Sequence, residues 1–183
     1  MVTLYDQHID NWIQWVARDS LTPTEYKKVH ASGAEVRLQF DLKGERLGLN
    51  GYAGYNFTHS VITGTYDDNP LYEGQQMIYV PRHAVRTGVT VSYADFRISA
   101  SGTYTGRRET VETGDPLYRL EPFALLDIML DYTFRFKDWE IGAGARLNNV
   151  LNTRYQVIRS YPMPGRFVMF SLQVRFDPAG SLH

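Results

Sequence analysis

Apolar and polar side chains alternate through residues 124–136. Ala124, Leu126, Ile128, Leu130, Tyr132, Phe134 and Phe136 hold one phase, and Asp127, Asp131, Thr133 and Arg135 the other. Successive side chains of a strand point to opposite faces, so the run predicts a long strand with one greasy and one polar side. After Lys137-Asp138 the alternation resumes with Trp139, Ile141, Ala143, Ala145 and Leu147 against Glu140, Gly142, Gly144, Arg146 and Asn148. Folding the two runs over that turn sets Phe136 beside Trp139, Phe134 beside Ile141, and Arg135 beside Glu140, a register in which like meets like and charge meets counter-charge. Two similar hairpins are predicted upstream. One carries Ala34, Val36, Leu38, Phe40 and Leu42 through Gly44-Glu45 into Leu47, Leu49, Gly51, Ala53, Tyr55 and Phe57, with glycine suited to the first position of a type II′ turn. The other carries Val85, Val89, Val91 and Tyr93 through Ala94-Asp95 into Phe96, Ile98, Ala100, Gly102 and Tyr104. A strand within residues 2–16 and another within 166–176 complete a set of about eight. In the first, Val2 and Leu4 are out of phase with Ile9 and Ile13, which predicts a bulge near residues 6–8. The other connections, residues 17–25, 62–81, 106–122 and 149–165, are long and hold most of the Pro, Asp and Asn. Thr22-Pro23-Thr24-Glu25 has the form of a helix start, and a plain loop competes with it.

Short turns on one rim and long loops on the other describe an all-β, antiparallel up-and-down meander and fit a transmembrane barrel. Alternation alone does not say which face is wet, because a small soluble barrel with an apolar interior gives the same string. Three features favour the membrane. Tyr93, Phe96, Phe134, Phe136 and Trp139 flank the short turns, where an aromatic girdle belongs, and Phe176 ends the last strand in the same manner. Strands of roughly a dozen residues exceed the usual soluble length and match a tilted crossing. The final run alternates Phe170, Leu172, Val174 and Phe176 with Ser171, Gln173 and Arg175. On this reading Asp127, Asp131, Arg135, Glu140 and Arg146 face a wet lumen, where cross-strand ion pairs are available.

Composition narrows the chemistry. The formal net charge of -1 and the interspersed acids and bases give no basic face for nucleic acid. The absence of cysteine removes disulfides and thiolate metal sites. No apolar run reaches the length of a membrane helix, and an export signal would lie outside these residues.

The last third carries an ordered set of motifs: Leu126-Asp127 with Tyr132-Thr133-Phe134, then Leu147-Asn148-Asn149-Val150-Leu151-Asn152-Thr153-Arg154-Tyr155, then Tyr161-Pro162-Met163-Pro164-Gly165-Arg166, and the strand ending at Phe176. This combination resembles the C-terminal end of TonB-dependent outer-membrane receptors. Asn11-Trp12-Ile13-Gln14-Trp15, Lys28-Val29-His30-Ala31-Ser32-Gly33-Ala34-Glu35 and Val80-Pro81-Arg82-His83 extend the resemblance over nearly the whole chain, with a cobalamin-type flavour in the Trp-rich first strand. The family forms barrels of roughly 22 strands, plugged by an N-terminal domain. The resemblance therefore implies that residues 1–176 are the C-terminal part of such a larger barrel, with 177–183 as an extension. It implies an outer-membrane fragment that serves uptake of a metal chelate or cobalamin with TonB-derived energy and does not transport alone. The implied partners are outer-membrane lipid, the remaining barrel and plug, and TonB through the part missing here, with no nucleic acid and no cofactor. The competing reading, a self-closed eight-stranded barrel holding an apolar ligand, stays open, and an enzyme ranks behind both because no Ser-His pairing is evident.

Candidate substrate contacts sit in the outer loops and first strand: Trp12, Trp15, Tyr66, Tyr72, Arg107, Arg108, Tyr155, Arg159 and Tyr161. Several have a plainer alternative. Trp12 and Trp15 also serve as interfacial anchors, Arg107-Arg108-Glu109 as a solvated cluster, and Tyr66-Asp67-Asp68-Asn69 as a turn and not a cation loop. His8, His30, His59 and His83 lack metal-ligand spacing along the chain and read as structural or exposed. Asn148, Asn149 and Asn152 are expected to shape the bend out of their strand.

Overall fold

The computed structural model describes residues 1–17, 21–65 and 72–177. Side chains are described for those residues apart from 14–17, 21–27 and 65. Eight strands run in chain order across one antiparallel sheet: β1 (Val2–Ala17), β2 (Leu21–Lys43), β3 (Leu47–Thr65), β4 (His83–Tyr93), β5 (Phe96–Thr105), β6 (Phe123–Phe136), β7 (Trp139–Asn148) and, after a miniature hairpin of β8 (Gln156–Ile158) and β9 (Tyr161–Pro162), β10 (Phe167–Phe176). A 3-10 turn, Pro116–Tyr118, is capped by Asp115, whose carboxylate accepts from the Leu117 N–H.

The meander agrees with the sequence reading, but the barrel does not. Among the described residues β1 pairs only with β2, and β10 only with β7, so the sheet is open, with two free edges. The expected membership of these strands in a larger transmembrane barrel is corrected to an open eight-stranded antiparallel sheet, and the self-closed barrel falls with it. Period-two alternation reports the two faces of a sheet. Whether the edges meet depends on contacts between strands far apart in the chain, on which the pattern is silent.

The two later hairpins have the predicted registers, Tyr93 opposite Phe96 and Phe136 opposite Trp139, with positive φ at Ala94 (50°) and Lys137 (51°). At the first hairpin the Gly44 N–H donates to the Leu47 carbonyl at 2.8 Å, which moves the tip to Glu45-Arg46. Leu42 thus faces Leu49, two residues from the expected register, and Gly44 is not among the glycines of positive φ, so the type II′ turn is not formed. A slip of two leaves every side chain on its face, which is why the pattern could not detect it.

Of the expected long loop at residues 17–25, Ala17 and residues 21–25 are strand. Ala17 pairs with Leu21 and Val16 with Thr22, so both strands continue and no helical turn forms at Thr22. Nor is there a bulge at residues 6–8: the β1–β2 register is unbroken from Val2 to Asp10, and the backbone departs only at Asn11, where φ is 56°. The phase change has another cause. Ile9 lies beside Val29, and with Ile62 and Met77 they make a small core under the segment that also brings Tyr72 and Val80. That core sits on the polar side of the sheet near the long-loop rim, so the apolar positions of β1 change face.

Elsewhere the faces are cleanly sorted. Leu42, Leu49, Val91, Ile98, Leu130, Ala145 and Phe170 lie opposite one another across seven strands. The neighbouring row, Lys43, Gly48, Ser92, Arg97, Asp131, Gly144 and Ser171, belongs to the other face. Leu42, Ile98, Leu130 and Phe170 are exposed, so the apolar face is not the inside of a packed core.

Three directly opposed aromatic–glycine pairs tighten the early strands: Tyr5 over Gly33, Phe40 over Gly51 and Tyr52 over Gly88. A Cβ at Gly51 would stand 2.6 Å from the Phe40 ring and 2.9 Å from the Gly88 carbonyl oxygen. The ring therefore covers backbone that only glycine leaves free, a pairing that pins register.

Candidate functional site

At the rim opposite the short turns, the segment after β3 and the connection from β5 to β6 come together. The Tyr79 N–H donates to the Glu109 carbonyl at 2.8 Å, and Arg108 and Leu120 form a two-way backbone bridge. Between them is a cleft of about 280 Å³ lined by Gln76, Arg82, His83, Arg107, Glu109 and Arg119. Gln76 is buried, and its Oε1 takes the Ser60 N–H and the Arg82 Nε–H, both at 3.4 Å. Arg119 is clamped by Glu109 at 2.8 Å and donates to the Gly114 carbonyl at 3.0 Å. His83 Nδ1 is 2.8 Å from the Tyr55 hydroxyl. Three guanidinium groups thus border one carboxylate, which leaves a positive concavity able to hold an anion through charge-assisted hydrogen bonds.

The sequence-predicted residues divide among several places. Arg107 is exposed on this cleft. Arg108 turns inward: 4% exposed, it lies 5.2 Å from the centre of the Phe123 ring and donates to the Gln156 and Val157 carbonyls at 2.8 and 3.2 Å. Burial lowers its pKa from the ordinary guanidinium value, with Tyr79 acting in the opposite sense. Tyr155 packs on Phe123 with 4.6 Å between ring centres and lines an adjoining cleft of about 470 Å³ with Arg154 and Met163. Arg159 stacks 4.1 Å over Tyr118, and Tyr161 is exposed in β9. Tyr72 packs against the small core, and Trp12 is exposed on β1, outside the cleft. The Trp15 side chain and Tyr66 with Asp67, Asp68 and Asn69 lie outside the described residues.

Asp127, Asp131, Arg135, Glu140 and Arg146 do share one face. Arg135 bridges Asp95 and Glu140, Arg175 reaches Glu140 at 3.7 Å, and Arg146 meets Asp127 at 3.2 Å. Asp127 also accepts the Asn149 N–H at 2.8 Å. Buried Asn149, at φ 49°, donates to the Thr153 carbonyl and accepts the Thr153 N–H, while Asn152 accepts the Arg166 N–H. The asparagine bend is therefore built as expected. At the turn rim Tyr93, Phe96, Phe134, Phe136, Trp139 and Phe176 are all exposed, with Trp139 against Phe176 at 4.7 Å and Phe96 against Tyr132 at 4.5 Å.

Sequence reasoning missed Gln76, Arg82, Glu109 and Arg119 as a group. They come from two connections, which the Tyr79–Glu109 hydrogen bond joins. Two of the histidines read as structural or exposed, His8 and His30, are direct cross-strand partners.

Comparison with known proteins gives a consistent picture. The family profile described as TonB dependent receptor-like, beta-barrel matches residues 1–150. The chain is 26% identical over 180 residues to the vitamin B12 transporter BtuB of Vibrio vulnificus strain CMCP6, covering 96% of this chain and 27% of that protein. Among solved structures, the siderophore receptor PiuA from Acinetobacter baumannii is similar with a TM-score of 0.72 at 17% identity, over 93% of this chain and 25% of that one. The copper transporter OprC is similar with a TM-score of 0.66 at 16% identity, over 96% and 28% respectively. At these identities the structures speak to the fold. The chain spans about a quarter of the length of each of these relatives.

Proposed function

The chain belongs to the TonB-dependent receptor family, and on that premise we propose that it is the segment of an uptake receptor whose long-loop rim captures an anionic metal chelate. The family is one of receptors and not of enzymes, and the chain is a protein of the bacterial outer membrane. The observation that carries the proposal is the convergence of Arg82, Arg107 and Arg119 on a cleft with a single carboxylate, Glu109. Siderophore complexes are commonly anionic and multidentate, and a fork of guanidiniums in a partly enclosed cleft favours them over neutral solutes.

In this reading the apolar face meets lipid, the ion-paired face of Asp127, Asp131, Arg135, Glu140 and Arg146 borders the passage, and the exposed aromatics sit at the membrane boundary. Residues 1–176 act as the receptor's C-terminal segment, and 177–183 as an extension. The rest of the receptor covers the free edges of β1 and β10, because unpaired backbone in hydrocarbon costs several kcal/mol per group. TonB-derived energy reaches the segment only through that remainder, so the segment does not transport alone. Cobalamin is the second reading, supported by the likeness to a vitamin B12 transporter.

The test is binding by the assembled receptor, measured through tryptophan fluorescence with a ferric catecholate, ferric citrate and cyanocobalamin. Capture of an anionic chelate should weaken at least about tenfold in Arg107→Ala and fall steeply with salt. Tight cyanocobalamin binding untouched by Arg107→Ala, with no affinity for either chelate, would select the second reading.

A further inference from the structure

The β1–β2 ladder assembles a group of donors that the chelate cleft does not use. His8 and His30 are directly opposite in register, and their rings stack with centres 4.3 Å apart and planes 16° from parallel. Asp6, two residues before His8 and on the same face, turns one carboxylate oxygen to each ring: 3.0 Å to His30 Nε2 and 3.6 Å to His8 Nδ1. One ligand atom from each of the three residues falls within 4.8 Å of the others. We infer that Asp6, His8 and His30 form a binding site for a divalent transition cation of the zinc class.

The chemistry selects the ion. Two imidazole nitrogens and one carboxylate suit Zn²⁺ and its neighbours, whereas Ca²⁺ and Mg²⁺ require shells of oxygen. Ligands at about 2.0–2.2 Å around a tetrahedral centre stand roughly 3.3–3.6 Å from one another. One Asp6 oxygen is already near that spacing from His30, the other from His8, and the whole set closes to within 4.8 Å. His8, with 77% of its side chain exposed, can swing to complete it by giving up its stacking on His30. Three protein ligands leave a fourth position for water or an incoming group.

The location gives the site a use. β1 is an edge strand whose backbone ladder is made with β2. A cation bridging His8 to His30 would lock the register of that ladder, because a slip of one residue would put the two imidazoles on opposite faces.

The experiment uses the full, untagged chain in detergent micelles, stripped with chelator and titrated with Zn²⁺ alone by calorimetry, then with Co²⁺ by visible absorption. Saturable binding of one ion per chain is expected, undiminished by millimolar Ca²⁺. His8→Ala, His30→Ala and Asp6→Asn should each weaken it at least about tenfold, since losing even an outer-shell partner costs ~10–100-fold. Asp41→Asn, at the far end of β2, should leave it unchanged. Exposed His8 can be truncated without loss of fold, which the far-ultraviolet dichroism of His8→Ala would verify. In the wild-type chain Zn²⁺ should also slow amide exchange in β1, and in His8→Ala it should not. Absence of saturable binding, full retention in His8→Ala, or equal competition by Ca²⁺ would overturn the site.

Discussion

Arg108 shows how one side chain can hold two loops together. Its guanidinium, buried against Phe123, satisfies the Gln156 and Val157 carbonyls, so the β5–β6 connection is tied to the β8–β9 hairpin. Arg108→Ala strands those carbonyls and should cost about 2–3 kcal/mol locally. The expected readout is faster amide exchange and earlier proteolytic nicking across residues 106–122 and 156–158, with the sheet unaffected. Asn149 plays the same part at the next bend, where its amide closes on Thr153 at a φ of 49°. Asn149→Ala loses these bonds and also the residue type that tolerates the left-handed region, and a loss of about 2 kcal/mol is expected in urea unfolding of the detergent-solubilised chain. The asparagines announced themselves in the sequence because their backbone preference is local. Arg108 did not, because its partners lie 48 and 49 positions away.

Among the strands, the informative unit is the opposed pair. Phe40 over Gly51 and Tyr52 over Gly88 bring a ring onto bare backbone, where a branched side chain does not fit. Gly88→Val would force Tyr52 aside, since even a Cβ there would stand 2.5 Å from the ring. A loss of about 1–3 kcal/mol is expected from such overpacking, and the same change at the more open Gly48 should cost less, measured by urea titration of both. The eight strands of the main sheet, their phase beyond β1 and two of three hairpin registers were legible because alternation and short turns are written within a few residues. The first hairpin slipped by two because both registers bury and expose the same side chains, so local sequence had nothing with which to choose between them.

The whole molecule is a sheet with an exposed apolar face, a charged face and two open edges, and each of these carries a measurable consequence. Placing a charge on the apolar face, as in Ile98→Arg, should lower the stability of the bilayer-inserted protein by roughly 2–4 kcal/mol if that face meets lipid. Ser101→Arg on the opposite face should change it little, and equal effects would count against the lipid assignment. Vesicles that contain this chain alone should show no energy-dependent uptake of a ferric chelate, and uptake there would contradict its reading as a segment.

By itself the sequence determined the eight strands of the main sheet, their two faces beyond β1, the short-turn rim, the asparagine bend and the likeness to an outer-membrane receptor family. All of these rest on spacing within a strand or on ordered local motifs. The tertiary structure alone decided that the sheet is open, that Ile9 serves a small core on the polar side, that Arg82, Arg107 and Arg119 share one cleft, and that His8 meets His30. Each of these depends on which distant backbones become neighbours, and that is settled by register and by loops folding over the sheet, not by any side chain's own preference.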